Sequence, residues 1–266
     1  MNNILIVFPL LSLLLFSGCD AFDIHPYDAN IKGDKGLTYK NISRIEESTK
    51  DKNQIRFAVI SDTQRWYDDM EDEIKSINKQ PDIDFVVHCG DITDFGITKE
   101  FDWQQAVLNK LAMPYVVLLG NHDCIGNGKD VYRSMFGNEN FSFVAGRTRF
   151  VCLDTNALEY DFSNPVPDLN YIKSFIGDTN TDNTIVAMHI KPQSEEFNNN
   201  VADTFQYLVR SLNGIMFCLC GHGHQTQKVD IFDDGILYYE ICNAEKRQYY
   251  IFTINNGDYD CKTIDF

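Results

Sequence analysis

Five short polar motifs carry residue types that could bind metal ions, and each follows an apolar run directly. They supply carboxylates, an amide and imidazoles, which together suit divalent transition metals. The apolar runs before them are short and rich in β-branched residues, which predicts buried strands of a sheet covered on both faces. In chain order the motifs are Asp62-Thr63-Gln64, Gly90-Asp91-Ile92-Thr93-Asp94, Gly120-Asn121-His122-Asp123, His189 and Gly221-His222-Gly223-His224.

Side chains at the ends of several such strands would meet at one edge of the sheet, where open α/β sheets place their sites. Two divalent ions need a shared anionic bridge and terminal donors, and such a pair can activate water and stabilise a phosphoryl group during displacement. Asp91 is the best bridge, because Gly90 before it permits a tight turn. With Asp62 as the second carboxylate the site stays net positive, so it would attract phosphate although the chain's net charge is −16.

The order of these motifs resembles the calcineurin-like metallophosphoesterase superfamily, whose pattern is D-x-H, G-D-x-x, G-N-H-D/E, a lone His and G-H-x-H. The resemblance covers roughly residues 55–254. It implies an α/β fold, a four-layer α/β/β/α sandwich of two mixed β-sheets flanked by helices. It also implies hydrolysis of a phosphoester by two divalent ions, a metal-bound hydroxide attacking phosphorus in line. The mixed oxygen and imidazole donors suit Mn, Fe, Zn or Co, with Mn favoured.

The resemblance also implies a role for each motif residue. His122 would not bind metal but would face the substrate and assist the leaving group, with Asp94 orienting its ring. The first metal would be held by Asp62, Gln64, Asp91 and His224, and the second by Asp91, Asn121, His189 and His222.

Gln64 departs from the family pattern, which has His at this position. A side-chain amide oxygen can bind a metal but is a weaker donor than imidazole for late first-row ions. The charge of the site is unchanged by this replacement. We therefore expect the first metal to bind more loosely, or to be a harder ion such as Mn.

Two other functions stay open at this stage. One is a phosphodiesterase or pyrophosphohydrolase acting on nucleotides or lipid head groups. The other is a non-catalytic binding protein that keeps the fold; Gln64 favours it, whereas His122 with Asp94 argues against it because a binder needs no general acid. The purple acid phosphatase branch is disfavoured, since Asp94 stands where that branch has a metal-binding Tyr.

The charge of the chain limits its partners. With 39 acidic against 23 basic residues and no basic cluster, the chain is not suited to binding a nucleic-acid polymer through its phosphates. A small phosphoester is the expected substrate. The sequence leaves its identity and the oligomeric state open.

The N-terminus has the features of a bacterial lipoprotein signal. Residues 4–16 are apolar but short for a membrane span, and Ser17-Gly18 precede Cys19, which would be lipidated. This predicts a signal peptide over residues 1–19 and a lipid-anchored protein of the cell envelope, facing the periplasm or the exterior. An ordinary cleaved signal and an uncleaved anchor stay open as alternatives. Residues 20–53, poor in apolar clusters, are expected to be a tether, and residues 54–266 the catalytic domain.

The rest of the chain alternates predicted strands and helices, as one α/β domain requires. Seven cysteines besides Cys19 are an odd number, which argues against a full disulfide framework. His88, inside a strand-like run, is expected to be a packed residue rather than a ligand. Strands are predicted at 55–60, 83–89, 114–119, 141–145, 148–153, 184–188, 215–220 and within 226–263, and helices at 67–79, 99–111, 130–136, 168–176 and 201–212.

Overall fold

The structure is a computed structural model that describes residues 29–157 and 165–266. The expected signal segment with Cys19, and the first part of the expected tether, lie outside the described residues. Within the described part, no helix combines the length and the apolar character needed to cross a membrane.

Helices and strands alternate along the described chain as the apolar runs predict, and the bounds of most elements agree within a few residues. The helices are α1 (Leu37–Thr49), α2 (Tyr67–Ile77), α3 (Thr98–Leu108), α4 (Gly128–Met135), α5 (Leu169–Lys173) and α6 (Ala202–Arg210). The strands are β1 (Gln54–Ile60), β2 (Phe85–His88), β3 (Tyr115–Val117), β4 (Phe141–Ala145), β5 (Thr148–Leu153), β6 (Asn183–Met188), β7 (Ile215–Cys220), β8 (Gln227–Asp230), β9 (Leu237–Glu240), β10 (Gln248–Asn255) and β11 (Asp258–Asp265).

The strands form two mixed sheets. The first has five strands in the order β11-β10-β1-β2-β3. Its adjacent strands β1, β2 and β3 are parallel to one another. The second has six strands in the order β4-β5-β6-β7-β9-β8, with β5, β6, β7 and β9 parallel. Parallel strands need covered faces, and the apolar runs without alternation in β2, β3 and β6 satisfy that need.

Three apolar layers hold the two sheets and their helices together. The middle layer lies between the sheets and is dominated by aromatic rings, such as Phe57, Phe150 and Phe217. A second layer joins the outer face of the first sheet to helices α2, α3 and α4. The third joins the outer face of the second sheet to α5 and α6. The predicted α/β/β/α sandwich is therefore confirmed.

Helix α1 corrects the expected tether. It buries residues at a spacing of four along one face (Leu37, Asn41, Ile45 and Thr49), and Ile45 joins the layer between the sheets. It also accepts main-chain hydrogen bonds from the β4 hairpin, at 3.0 Å from Val144 to Glu46. The prediction of a tether reaching residue 53 is wrong for this helix, because Leu37 and Ile45 dock it although polar residues share its buried face.

The free cysteines of the described chain include all seven beyond Cys19, in agreement with the expected absence of a disulfide framework. Five of them lie buried, namely Cys89, Cys152, Cys218, Cys220 and Cys242. Buried thiols of this kind pack as small apolar groups.

Phe57 tests the layer between the sheets. Its ring stacks on Phe85 at 5.1 Å and on Phe252 at 5.4 Å, and meets the edge of Phe150 at 5.1 Å. Because truncation leaves a cavity among these rings, Phe57→Ala should lower the free energy of unfolding by about 3–5 kcal/mol in urea titrations. Tyr207→Ala, at a side chain that is 70% exposed, should change it by less than about 0.5 kcal/mol. Equal losses in the two variants would contradict this account of the core.

Candidate active site

The predicted ligands lie at the carboxyl ends of parallel strands from both sheets. Asp62, Asp91 and Asn121 follow β1, β2 and β3 of the first sheet, while His189 and the Gly221–His224 motif follow β6 and β7 of the second. These strands are neighbours within their sheets. The site therefore spans the seam between the two sheets.

Four of the predicted ligands have left-handed backbone conformations. Asp62 and Asp91 have φ values of 53° and 58°, and His222 and His224 have values of 70° and 53°. This region is uncommon for residues other than glycine and is concentrated at functional sites. Each of these left-handed residues turns the chain sharply at the end of a strand and keeps its own side chain at the seam.

Two glycines leave room for the carboxylates. A Cβ atom added at Gly120 would lie 2.1 Å from Asp91 Oδ1, and one added at Gly221 would lie 2.7 Å from Asp62 Oδ2. Neither space could hold a side chain without moving a carboxylate. Gly120 of the third motif and Gly221 of the last motif are thus required by close packing.

The ligands expected for the second metal converge. Asn121 Oδ1 lies 3.0 Å from His189 Nε2 and 3.1 Å from His222 Nδ1. His189 Nε2 is also 3.3 Å from Asp91 Oδ2. One ligand atom each of Asp91, His189 and His222 lies within 4.8 Å of the others. These oxygen and nitrogen donors suit a divalent transition metal.

The ligands expected for the first metal lie beside them. Asp62 Oδ1 is 3.2 Å from His224 Nε2, and its other oxygen accepts a 3.0 Å hydrogen bond from the main chain of His222. Gln64 is 3% exposed, and its Oε1 atom is buried without a hydrogen-bond partner. A buried oxygen without a partner is costly, whereas a bound cation would satisfy it. The residues present therefore fit a metal here too.

The buried carboxylates change the acidity of the histidines. Burial alone would lower the pKa of His189, but the Asp91 and Asp62 carboxylates outweigh it and raise that pKa to about 10. For Asp62, burial would raise the pKa, but the imidazoles of His224 and His189 hold it below its usual value. The site thus attracts cations, either protons or metal ions.

His122 lies at the mouth of the site, half-buried. Its main-chain N–H donates to Asp91 Oδ1 at 2.9 Å, and its ring Nδ1 is 3.0 Å from the main-chain carbonyl oxygen of Asp94. Since a carbonyl only accepts, Nδ1 carries the proton in this contact. Asp94 thus contacts the ring, as expected, but through its main chain, and its carboxylate pairs with Arg65 instead.

Asp123 has a positioning role that the sequence reasoning did not assign. Its buried carboxylate accepts main-chain hydrogen bonds at 3.0 Å from Asp91, at 3.0 Å from Gly120 and at 2.8 Å from Thr93. It therefore fixes the turn that presents Asp91. Burial and the Asp91 carboxylate raise the pKa of Asp123 to about 6. The sequence did contain a sign of this role, because Asp123 is the last residue of the Gly-Asn-His-Asp motif.

His88 lies behind the site and contacts none of the metal-binding atoms, as the sequence predicts. Burial lowers its pKa to about 3, so the ring is neutral. Its Nδ1 accepts from the N–H of Gly90 at 3.2 Å, and its Nε2 is 2.9 Å from the Thr63 hydroxyl. It supports the turns on both sides of the site.

Replacement of Asp123 tests the turn that carries Asp91. Asp123→Asn puts an amide NH₂ against main-chain donors, so we expect unfolding to require about 2–3 kcal/mol less and Mn to bind more weakly. Asp130→Asn, whose side chain is 69% exposed, is the matched control. Urea titration and calorimetric Mn titration measure the two effects, and unchanged Mn affinity in Asp123→Asn would contradict the positioning role.

Metal binding should depend strongly on pH. A metal ligand must be neutral imidazole, and His189 with its pKa of about 10 is protonated below that value. Between pH 6 and pH 9 the affinity for Mn should therefore rise by up to about tenfold per pH unit, with roughly one proton released per chain. Calorimetry in buffers of different ionisation enthalpy measures that release. Binding without proton release would contradict the proximity of His189 to the metal.

Comparison with known proteins gives relatives of this chain. Uncharacterized protein YvnB of Bacillus subtilis (strain 168) is 26% identical over 223 residues, which make up 73% of this chain and 17% of YvnB. The chain thus spans less than a fifth of the length of that curated relative.

Two solved structures share the fold. A dimetal phosphatase from Danio rerio aligns with a TM-score of 0.64 at 13% identity, over 79% of this chain and 97% of its own. Purple acid phosphatase PPD1 from yellow lupin (Lupinus luteus) aligns with a TM-score of 0.62 at 13% identity, over 80% of this chain and 51% of its own. At such low identity these alignments show the common architecture of two mixed sheets flanked by helices.

Residues 55–226 match the family described as calcineurin-like phosphoesterase, and this stretch contains all five motifs of the site. The match covers more than half of the 266 residues. The chain therefore belongs to the calcineurin-like phosphoesterase family.

Proposed function

We propose that this protein hydrolyses small phosphoesters with two divalent metal ions. The observation that carries the proposal is the convergence of Asp91, His189 and His222, whose ligand atoms lie within 4.8 Å of one another, next to the Asp62–His224 pair. Asp91 belongs to the group with His189 and His222. It also follows β2, the neighbour of the strand β1 that precedes Asp62, so Asp91 is the residue suited to bridge two ions.

The proposed ligand groups divide between the two ions. Bound ions would supply Lewis acidity and an activated water for attack on phosphorus. Mn is the favoured ion, because oxygen atoms dominate the donors and Gln64 contributes an amide oxygen. Asp62, Gln64, Asp91 and His224 would hold the first ion, and Asp91, Asn121, His189 and His222 the second.

His122 would assist the leaving group. Its ring is held through Nδ1 by the Asp94 carbonyl, which leaves Nε2 for the substrate. With both ring nitrogens protonated, Nε2 would donate its proton to the leaving oxygen. Its main chain is anchored to Asp91, so the ring has a fixed position relative to the proposed bridge. A positioned imidazole of this kind contributes roughly 10²–10⁴-fold to proton-transfer catalysis.

The proposal includes the cell envelope as the place of action. Lipidated Cys19 would hold the protein to a membrane facing the periplasm or the exterior, as the sequence before it predicts. The net charge of −16 favours small phosphoesters over a nucleic-acid polymer as partners.

Metal-dependent turnover is the test. The 266-residue chain would be purified in detergent, stripped of metal, reloaded with Mn and given p-nitrophenyl phosphate and bis-p-nitrophenyl phosphate. We expect about two ions per chain, turnover only with metal, and a roughly 10²–10⁴-fold lower kcat in His122→Ala. His25→Ala, at a histidine outside the motifs, is the control and should keep its activity.

The same assays separate the competing functions. Preference for one of the two substrates distinguishes a monoesterase from a diesterase or pyrophosphohydrolase. A binding protein would show one ion or none, and no metal-dependent turnover. An equal effect of the two histidine variants would contradict the role of His122.

A further inference from the structure

A cavity opens beside the proposed metal centre, on the side of His222. Its volume is about 620 Å³, within the range of small-molecule sites. Residues 191–196, which follow the predicted ligand His189, form one wall, and strand β8 with the residue after it forms the other. Gln193 Nε2 donates to the Ile231 carbonyl at 3.3 Å and joins the two walls. Because His222 lines the cavity, a molecule filling it would adjoin the metal centre.

The positive charge in the lining is already paired. Lys191 Nζ lies 2.8 Å from Glu240 Oε2, and Glu240 is fully buried at the end of β9. The Gln227 amide donates to the same oxygen at 2.6 Å. Lys191 is therefore poorly placed to attract a second anion into the cavity.

The carboxylates of the lining differ in how they are satisfied. Asp230 accepts main-chain hydrogen bonds from Asp234 at 3.1 Å and from Gly235 at 2.8 Å, so both of its oxygens serve the hairpin turn. Glu195 is exposed to solvent. Glu196 is half-buried, and its Oε2 atom is buried without a hydrogen-bond partner. Glu196 thus has an unmet need for a donor in a wall of this cavity.

We propose, building on the phosphoesterase function above, that this cavity binds the alcohol portion of the substrate and selects alcohols that carry a cationic nitrogen. The Glu196 carboxylate would receive that nitrogen while the phosphoryl group lies at the metal centre. An ammonium donor makes a hydrogen bond to a carboxylate roughly twice as strong as a neutral pair does. A neutral polyol would form a weaker hydrogen bond to Glu196, and an acidic alcohol would be repelled by the Glu196 carboxylate. The substrate class is therefore the phosphoesters of amino alcohols.

Matched substrates test the selectivity in the Mn-loaded 266-residue chain. Ethanolamine phosphate is compared with propyl phosphate, which replaces the ammonium by a methyl group. The p-nitrophenyl ester of ethanolamine phosphate is compared with p-nitrophenyl propyl phosphate, which tests the same preference in a diester. We expect kcat/KM to favour the cationic member of the cleaved pair by about tenfold or more, and Glu196→Gln to bring the ratio near unity. Asp203→Asn, an exposed carboxylate on α6, should keep the preference.

Direct binding separates this inference from the proposed function. Calorimetric titration of ethanolamine phosphate and propyl phosphate into the Mn-loaded chain should show tighter binding of the cationic ligand, lost in Glu196→Gln. That result supports the cavity assignment even if no phosphoester is cleaved. Equal affinities and equal kcat/KM within each pair would overturn it. A Glu196→Gln variant that binds Mn more weakly and slows both members of a pair alike would also overturn it, since Glu196 would then be orienting His222.

Discussion

The need to keep two carboxylates buried at the seam between the sheets governs the rest of this structure. Asp62 and Asp91 are both essentially inaccessible to water, and both act on the ionisation of His189. Buried like charges disfavour ionisation unless opposite charges or hydrogen-bond donors compensate. Here the compensation comes from His189 and His224 and from main-chain N–H groups. A pair of dications would complete it, which is why the site has the electrostatics of a metal centre.

That constraint explains why the architecture has two sheets packed face to face. One sheet supplies the carboxylates and Asn121, and the other supplies the imidazoles, so neither sheet alone holds a complete set of ligands. The aromatic layer between them, in which Phe217 of one sheet stacks on Phe252 of the other at 4.7 Å, sets the distance between the two halves. Rigid packing of this kind holds ligands in place better than loops alone would. Packing energy and metal geometry are therefore coupled in this fold.

The family resemblance of the motifs implied the layers, and the apolar runs predicted most of the element bounds. The positions of the motifs at strand ends predicted which residues meet at the seam. These patterns were insufficient where a contact joins residues that are distant in the sequence. The Asp94 carbonyl at His122, and the Lys191–Glu240 pair across 49 residues, leave no mark on local patterns. Helix α1 was missed for a different reason, because its buried stripe includes the polar Asn41 and Thr49 and therefore lacks an apolar period.

Gln64 shows that the burial of two carboxylates constrains the charge of the site more than the identity of one neutral ligand. An amide and a neutral imidazole carry the same charge, so the family's His can be replaced without changing the repulsion between Asp62 and Asp91. The demand for cations at the seam is therefore undiminished, and the buried Oε1 atom remains an available donor. Stabilisation of a phosphoryl transition state depends on the positive charge at the site more than on the identity of one neutral ligand. Gln64 should thus alter which ion binds first and how tightly, while the chemistry at His122 keeps its geometry.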